Sequence, residues 1–399
     1  IKEPVAVVGD FNNDTFEDLI IGQSMYVNEA GEKFRKLAQE EFNVPLAKRL
    51  GSIAVADFDK DGMLDFMEVG VVVKEGAHGW INVDEGTERA TENRLWKNLG
   101  NFKFENVTEQ SNTIGLGTGA FSAVWFDANG DQWPDFMSAC EFGRNDYFLN
   151  QGDGTFTLAE LPGSHGGFSM GITIADIDND GFGDPYLANM YSKAGERIVG
   201  NIRSNLYENY AHDVAAQLQE FVSGNELYHN NGDGTFKRIG REVGVNDIGW
   251  AYGTGAVDLN GDGFQEIYAP VGFQSVTEDK PDGWRCVWLA VVSQPFSCTT
   301  SVPELRDVDE DNGEFWVGNP FMFSNVKENL SAYERNGCFL NDQNGSFLDI
   351  SYLSGSDNRG DSRTIVSADI NNDGMPELFV RQVGGGAIVV YQNNFPKKK

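Results

Sequence analysis

The 399-residue chain is poor in the side chains that most catalytic and redox chemistry draws on, with four cysteines, four histidines, and 30 Lys+Arg against 61 Asp+Glu. The shortage of positive charge leaves a formal net charge of −31, which argues against electrostatic binding of nucleic acid or of an anionic membrane. Cys140, Cys286, Cys298 and Cys338 have no C-x-x-C spacing, so neither a zinc ribbon nor a thioredoxin-like site is expected, while two disulfides stay open. His78, His165, His212 and His229 match no H-E-x-x-H or triad pattern, and no Walker or dinucleotide glycine motif stands in a strand-to-helix context. No stretch approaches the roughly 18 apolar residues of a membrane span, so direct insertion into a bilayer is not expected. The chain begins with Ile rather than Met, which reads as a processed start with any targeting segment already removed.

What the chain does hold is 40% hydrophobic and 12% aromatic residues, too much apolar material for an acidic disordered protein. No Pro/Ser-rich linker or charge block divides it, so a single repeat domain over 1–399 is expected. A nine-residue pattern recurs six times, each copy after a short β-type run, at 10–18, 57–65, 127–135, 176–184, 258–266 and 369–377. Positions 1, 3, 5 and 9 always carry Asp, Asn or Glu, and position 7 is always large and apolar.

A hard cation takes six to eight oxygens, and alternate side chains of a tight loop can converge on one. The expected ligands are Asp10, Asn12, Asp14, Phe16 and Asp18; Asp57, Asp59, Asp61, Met63 and Asp65; Asp127, Asn129, Asp131, Trp133 and Asp135; Asp176, Asp178, Asp180, Phe182 and Asp184; Asp258, Asn260, Asp262, Phe264 and Glu266; Asp369, Asn371, Asp373, Met375 and Glu377. Position 7 contributes its backbone carbonyl, with its side chain expected in the core. The order follows an EF-hand as far as position 7 but closes at position 9, and the flanks read as strands, so these are strand-loop-strand calcium loops, about six sites in all. Six copies with an acid at position 9 exceed what turn chemistry alone asks for. The four-carboxylate loops at Asp57 and Asp176 are expected to bind most tightly. Thr15 and Gln132 replace Gly at position 6 in loops one and three, where weaker binding is expected.

A second repeat alternates with the first: Leu95-Trp-Lys-Asn98 with Phe104, Tyr147-Phe-Leu-Asn150 with Phe156, Leu227-Tyr-His-Asn230 with Phe236, and Cys338-Phe-Leu-Asn341 with Phe347. Met25-Tyr-Val-Asn28 and Val390-Tyr-Gln-Asn393 are weaker copies. Each is a hairpin signal, so each unit holds four strands. Four-stranded units without crossover helices make an all-β propeller. Insertions fall near 71–94, 192–223 and 272–337; the second has apolar residues at helical spacing over 205–219, and the third is long enough for a blade of its own. Six blades carry a motif and seven are favoured.

These motifs resemble FG-GAP/VCBS repeats, the calcium-bearing propellers related to the integrin α-subunit head. The hairpin Asn225–Phe236 followed by a calcium loop is similar to the cartilage acidic protein and ASPIC/UnbV family. That resemblance extends over residues 1–395 and implies a secreted, extracellular or periplasmic seven-bladed propeller with calcium at the positions named. The functional expectation is a calcium-stabilised structural, adhesion or interaction scaffold for a protein or polysaccharide partner. Trp80, Trp284 and Trp288 are candidate contact residues on the insertions, and packing within those insertions is the commoner role for such a residue. The alternative is a propeller enzyme acting on polysaccharide, a lyase or hydrolase, for which the sequence picks out no acid/base pair. Arg359-Gly-Asp361 and four glycosylation tripeptides, at Asn13, Asn106, Asn329 and Asn344, read as chance matches.

Overall fold

Short β-branched and aromatic runs punctuated by Asp, Asn and Gly cannot bury a core singly, and must stack. The computed structural model describes residues 5–73, 91–141, 143–162, 167–200, 219–279, 329–383 and 388–396. Among them the chain forms six antiparallel sheets in sequence order, the blades of a β-propeller. Blade one is β1 (Ala6–Gly9), β2 (Asp18–Ile21), β3 (Ser24–Glu29) and β4 (Lys33–Lys36); blade two is β5 (Ser52–Ala56), β6 (Asp65–Val72), β7 (Thr91–Asn98) and β8 (Phe104–Asn106). Blade three is β9 (Ala120–Phe126), β10 (Asp135–Cys140), β11 (Asp146–Asn150) and β12 (Phe156–Leu158); blade four is β13 (Gly171–Ala175), β14 (Asp184–Ala188), β15 (Glu226–Asn230) and β16 (Phe236–Arg238). Blade five is β17 (Gly255–Val257), β18 (Glu266–Ala269), β19 (Gly337–Asn341) and β20 (Phe347–Asp349), and blade six is β21 (Ser362–Ala368), β22 (Glu377–Gln382) and β23 (Val389–Tyr391). Four short helices complete the described structure: α1 (Thr108–Ser111), α2 (Lys193–Gly200), α3 (Gly240–Val243) and α4 (Ser351–Ser354).

Strand register is the same around every motif: the closing acid faces the residue before position 1, as in Gly9↔Asp18, Ala56↔Asp65 and Val257↔Glu266. The motif loops therefore emerge together at one end of the propeller. The long insertions join second to third strands, β6 to β7, β14 to β15 and β18 to β19, and so share the opposite end. This placement corrects the blade count. Because Ile267 pairs with Phe339 and Ala269 with Gly337, the stretch 272–337 interrupts blade five instead of adding a blade to the series. Among the described residues there are six blades, each with its motif, where seven were favoured from sequence; residues 280–328 lie outside the described ones. Helix α2 lies in the expected helical insertion, whereas 205–218 of the segment with helical spacing, Trp80, Trp284, Trp288, Cys286 and Cys298 also lie outside the described residues.

The core sits between blades. Phe11, Ile20 and Val27 of blade one meet Phe66, Trp96 and Phe104 of blade two, with Phe11–Phe104 and Phe66–Phe104 centroids 6.3 and 5.0 Å apart. Phe58 similarly meets Phe156 of blade three. Close approach is needed here: a Cβ on Gly70, at φ +63°, would lie 2.0 Å from the Ala120 carbonyl oxygen of blade three. Cys140 and Cys338 are free and buried in different interfaces, Cys140 between blades two and three and Cys338 between five and six, so they do not pair.

Five junctions repeat this packing, and among the described residues no cluster joins blade six to blade one. Position 2 of the motif is buried in five loops but Ile370 of loop six is 60% exposed, as are Val366 at 59% and, on blade one, Val8 at 57% and Phe34 at 50%. Blade six also has no fourth strand among the described residues. A 350 Å³ cavity lined by Leu259, Leu340, Leu378, Tyr391 and Phe395 lies beside β23, where blades two to five bury the phenylalanine of their fourth strand.

Candidate metal centre

Each loop is wound by its own side chains. The position-1 carboxylate accepts the N–H groups of positions 5 and 6: Asp57 from Asp61 and Gly62 at 3.0 and 2.9 Å, Asp176 from Asp180 and Gly181 at 3.1 Å each, and Asp369 from Asp373 and Gly374 at 3.0 and 2.8 Å. Position 5 accepts the position-7 N–H, at 2.8 to 3.0 Å in the same three loops. The winding puts positions 4 and 6 in the left-handed region in all six loops, which selects Asn and Gly. Thr15 at φ 76° and Gln132 at φ 70° are the two position-6 residues that carry a Cβ there. Thr15→Gly is expected to stabilise the protein by about 1 kcal/mol, read as a higher urea midpoint.

The closing acid is buried in every copy. In blades one to four both its oxygens accept backbone N–H groups, one from position 2 and one from the asparagine that ends the third strand. Asp65 accepts from Phe58 and Asn98 at 3.1 and 2.7 Å, and Asp184 from Ile177 and Asn230 at 3.0 and 2.7 Å. This joins the loop to the hairpin, a structural reason for an acid at position 9 that turn chemistry alone did not supply. Burial, the leading cause, raises these carboxyls against those hydrogen bonds: Asp18 and Asp135 to about 6, Glu266 to about 7 and Asp65 to about 8. The same asparagine reaches the preceding blade. The Asn98 amide donates to Phe11 O at 2.9 Å, Asn150 to Phe58 O at 2.9 Å, Asn341 to Ile177 O at 2.7 Å and Asn393 to Leu259 O at 2.8 Å.

Position 7 corrects one expectation. Apart from the buried Met375, these side chains are half-buried or, for Phe16, exposed, and Met63, Trp133 and Phe182 reach the previous blade's loop instead of the core. Asn13 donates to Met63 Sδ, Lys60 Nζ lies 4.3 Å from the Trp133 ring centroid, and a Cβ on Gly130 would touch Phe182. Successive loops are therefore in contact.

A cation fits this donor set. Carboxylate oxygens of Asp57, Asp59 and Asp61 lie within 4.8 Å of one another, as do those of Asp176, Asp178 and Asp184. The position-3 oxygens Asp59 Oδ1 and Asn260 Oδ1 are buried with no hydrogen-bond partner, an arrangement that favours a cation over a self-contained turn. Two groups went unnoticed in the sequence. His229 joins Asp178 and Asp180 in a third cluster, its Nδ1 3.6 Å from Asp178 Oδ2. Lys97 Nζ is paired with Asp59 and with Asp61, the latter at 3.1 Å, and the Asp59 hydrogen bond, the leading upward influence, brings its pKa to about 12. Both stand one residue before the third-strand asparagine, so the hairpin register was the available signal.

Acidic groups outside the loops serve the fold. Glu68 accepts from Ala47 N and Trp96 Nε1, and Glu226 pairs with Arg238 and accepts from the Tyr228 hydroxyl. Asp361 of the Arg-Gly-Asp sequence accepts from both Ser275 N and Ser275 Oγ at 2.7 Å, which ties it into its own blade junction.

The description FG-GAP-like repeat matches residues 127–186 and 212–269, spans that include loops three, four and five. The chain thus carries FG-GAP-like repeats in a repeat β-propeller; the match does not extend to the ASPIC/UnbV family. Curated proteins give no match. Among solved structures, an Agrocybe aegerita lectin reported to recognise non-reducing terminal N-acetylglucosamine aligns over 99% of this chain and 81% of its own, at 14% identity and a TM-score of 0.44. That likeness is too loose to bear on the site.

Proposed function

We propose that the protein is a secreted, calcium-binding β-propeller that works as an interaction or adhesion scaffold for a protein or polysaccharide partner. The observation that carries the reading is the pair of orphaned position-3 oxygens, Asp59 Oδ1 and Asn260 Oδ1, the former in a loop whose acidic oxygens already converge. Calcium would be held by the side-chain oxygens of positions 1, 3, 5 and 9 with the position-7 carbonyl, and would supply charge neutralisation for buried acids. The chain's own residues do the rest. The position-1 and position-5 acids wind the loop, the closing acid joins it to the third strand, and the asparagine that follows fixes one blade on the next. Stiffening this end leaves the opposite end, where all three insertions emerge, to present a partner-binding surface.

Native mass spectrometry of metal-stripped protein titrated with calcium tests the reading. Several ions are expected to bind, and Asp176→Ala is expected to remove one. Asp176 accepts two loop N–H groups and faces Asp178 and Asp184, so its loss affects both loop and ligand set. A folded protein that takes up no calcium would overturn the proposal.

A further inference from the structure

The six loops share one backbone plan, so differences between them fall to the side chains that lean over them. The residue before the third-strand asparagine does this. It is Val27, Lys97, Leu149, His229, Leu340 and Gln392 in blades one to six. Only blade two places a permanent cation there. Lys97 projects from β7 onto loop two, and its ammonium is paired with Asp59 and Asp61, the position-3 and position-5 acids expected to face the metal. These acids are also two of the three whose oxygens converge in that loop.

We propose that Lys97 is a built-in counter-cation of loop two that competes with calcium, so that this loop fills last despite its four carboxylates and stays ordered without metal. The inference rests on the calcium reading above. A calcium ion sits about 2.3 to 2.6 Å from its oxygens, and an ammonium already hydrogen-bonded to the same two carboxylates must leave before the ion can enter. Two like charges within about 4 Å repel strongly in a partly desolvated site. The lysine stem is flexible and its side chain is 29% exposed, so it can swing into solvent; the exchange is reversible and its cost appears as weaker binding. Loop four, with the same four carboxylates, has a histidine at this position and no permanent charge.

The test compares wild type with Lys97→Leu, which installs the residue found in blades three and five, and with Lys97→Gln, which uses the residue of blade six and guards against a packing fault. Calcium is the titrant. Ions bound are counted by native mass spectrometry, and melting is followed in EGTA. Both variants are expected to bind one more ion than wild type at low calcium, with about a tenfold or greater gain in affinity at that site. Both are also expected to melt several degrees lower in EGTA, where the loop-two acids have lost their cation, and to regain that stability with calcium. Wild-type and variant titrations that superimpose, while ions still bind elsewhere, would overturn the role of Lys97 and leave the calcium reading standing. No calcium on any of the three proteins would overturn both.

Discussion

Excess EGTA is expected to lower the unfolding midpoint of the calcium-loaded protein substantially, and by more near pH 8 than near pH 5. Each site held at a hundredfold over its dissociation constant contributes about 2.7 kcal/mol of native-state stability, so even a few sites make a large shift. The pH dependence follows from the closing acids. Burial places Asp18 and Asp135 at about 6, Glu266 at about 7 and Asp65 at about 8, each above its value in an unfolded chain. The metal-free native state therefore binds protons more readily than the unfolded one. The stability gained from that protonation is complete below about pH 4 and is lost as pH rises through about 6 to 8. On the proposed reading calcium would replace the proton as the neutralising charge, so saturating calcium is expected to flatten this loss. Melting curves across that range, with calcium and with EGTA, check both parts. Parallel pH profiles in the two conditions would show that the closing acids never meet the metal.

Asn150→Ala is expected to cost about 3 kcal/mol, measured as a lower urea midpoint. Its amide donates to Phe58 O of blade two and Pro134 O of its own loop at 2.9 and 3.1 Å, while its carbonyl accepts Gly152 N–H at 3.0 Å. Truncation leaves buried carbonyls without a donor, each worth about 1 to 3 kcal/mol. Asn28→Ala is the control. Asn28 keeps the bond within its blade, to Glu17 O at 3.1 Å, and accepts Gly31 N–H, but joins no other blade among the described residues, so less than about 1 kcal/mol is expected. Equal losses at the two positions would mean that the bond between blades adds nothing beyond the local turn.

The four-stranded units and their loops were legible because both repeats are local: a nine-residue pattern and a six-residue spacing from Asn150 to Phe156, or from Asn230 to Phe236, each fix a hairpin. The blade count was not. Whether 272–337 forms a blade depends on Ala269 pairing with Gly337 across that whole stretch, and no local pattern records a pairing so distant. The side chains at position 7 were placed in the core on hydrophobicity alone, whereas Phe182 and Trp133 cover neighbouring loops. The closing acid was assigned to the metal without its second role, since its partners, such as Phe58 N and Asn98 N, are backbone groups that leave no mark in sequence. Lys97 and His229 escaped because charge alone does not name the loop it overhangs, and only their shared place one residue before the third-strand asparagine marks it.

The exposed faces of blades one and six change how the whole assembly comes apart. In a closed ring every blade is clamped on two sides, and losing one breaks two interfaces. Here Val366 and Ile370 on blade six, and Val8 and Phe34 on blade one, face no neighbour among the described residues, so within those residues each of these two blades is held by a single interface. Where nothing further covers those two faces, the series would behave as a one-dimensional array, its stability the sum of nearest-neighbour couplings, and would fray inward from them. Blade six, with three described strands and with Val366 and Ile370 exposed, would then be the weaker end, while the buried Phe58, Phe136 and Phe156 hold blades two and three together.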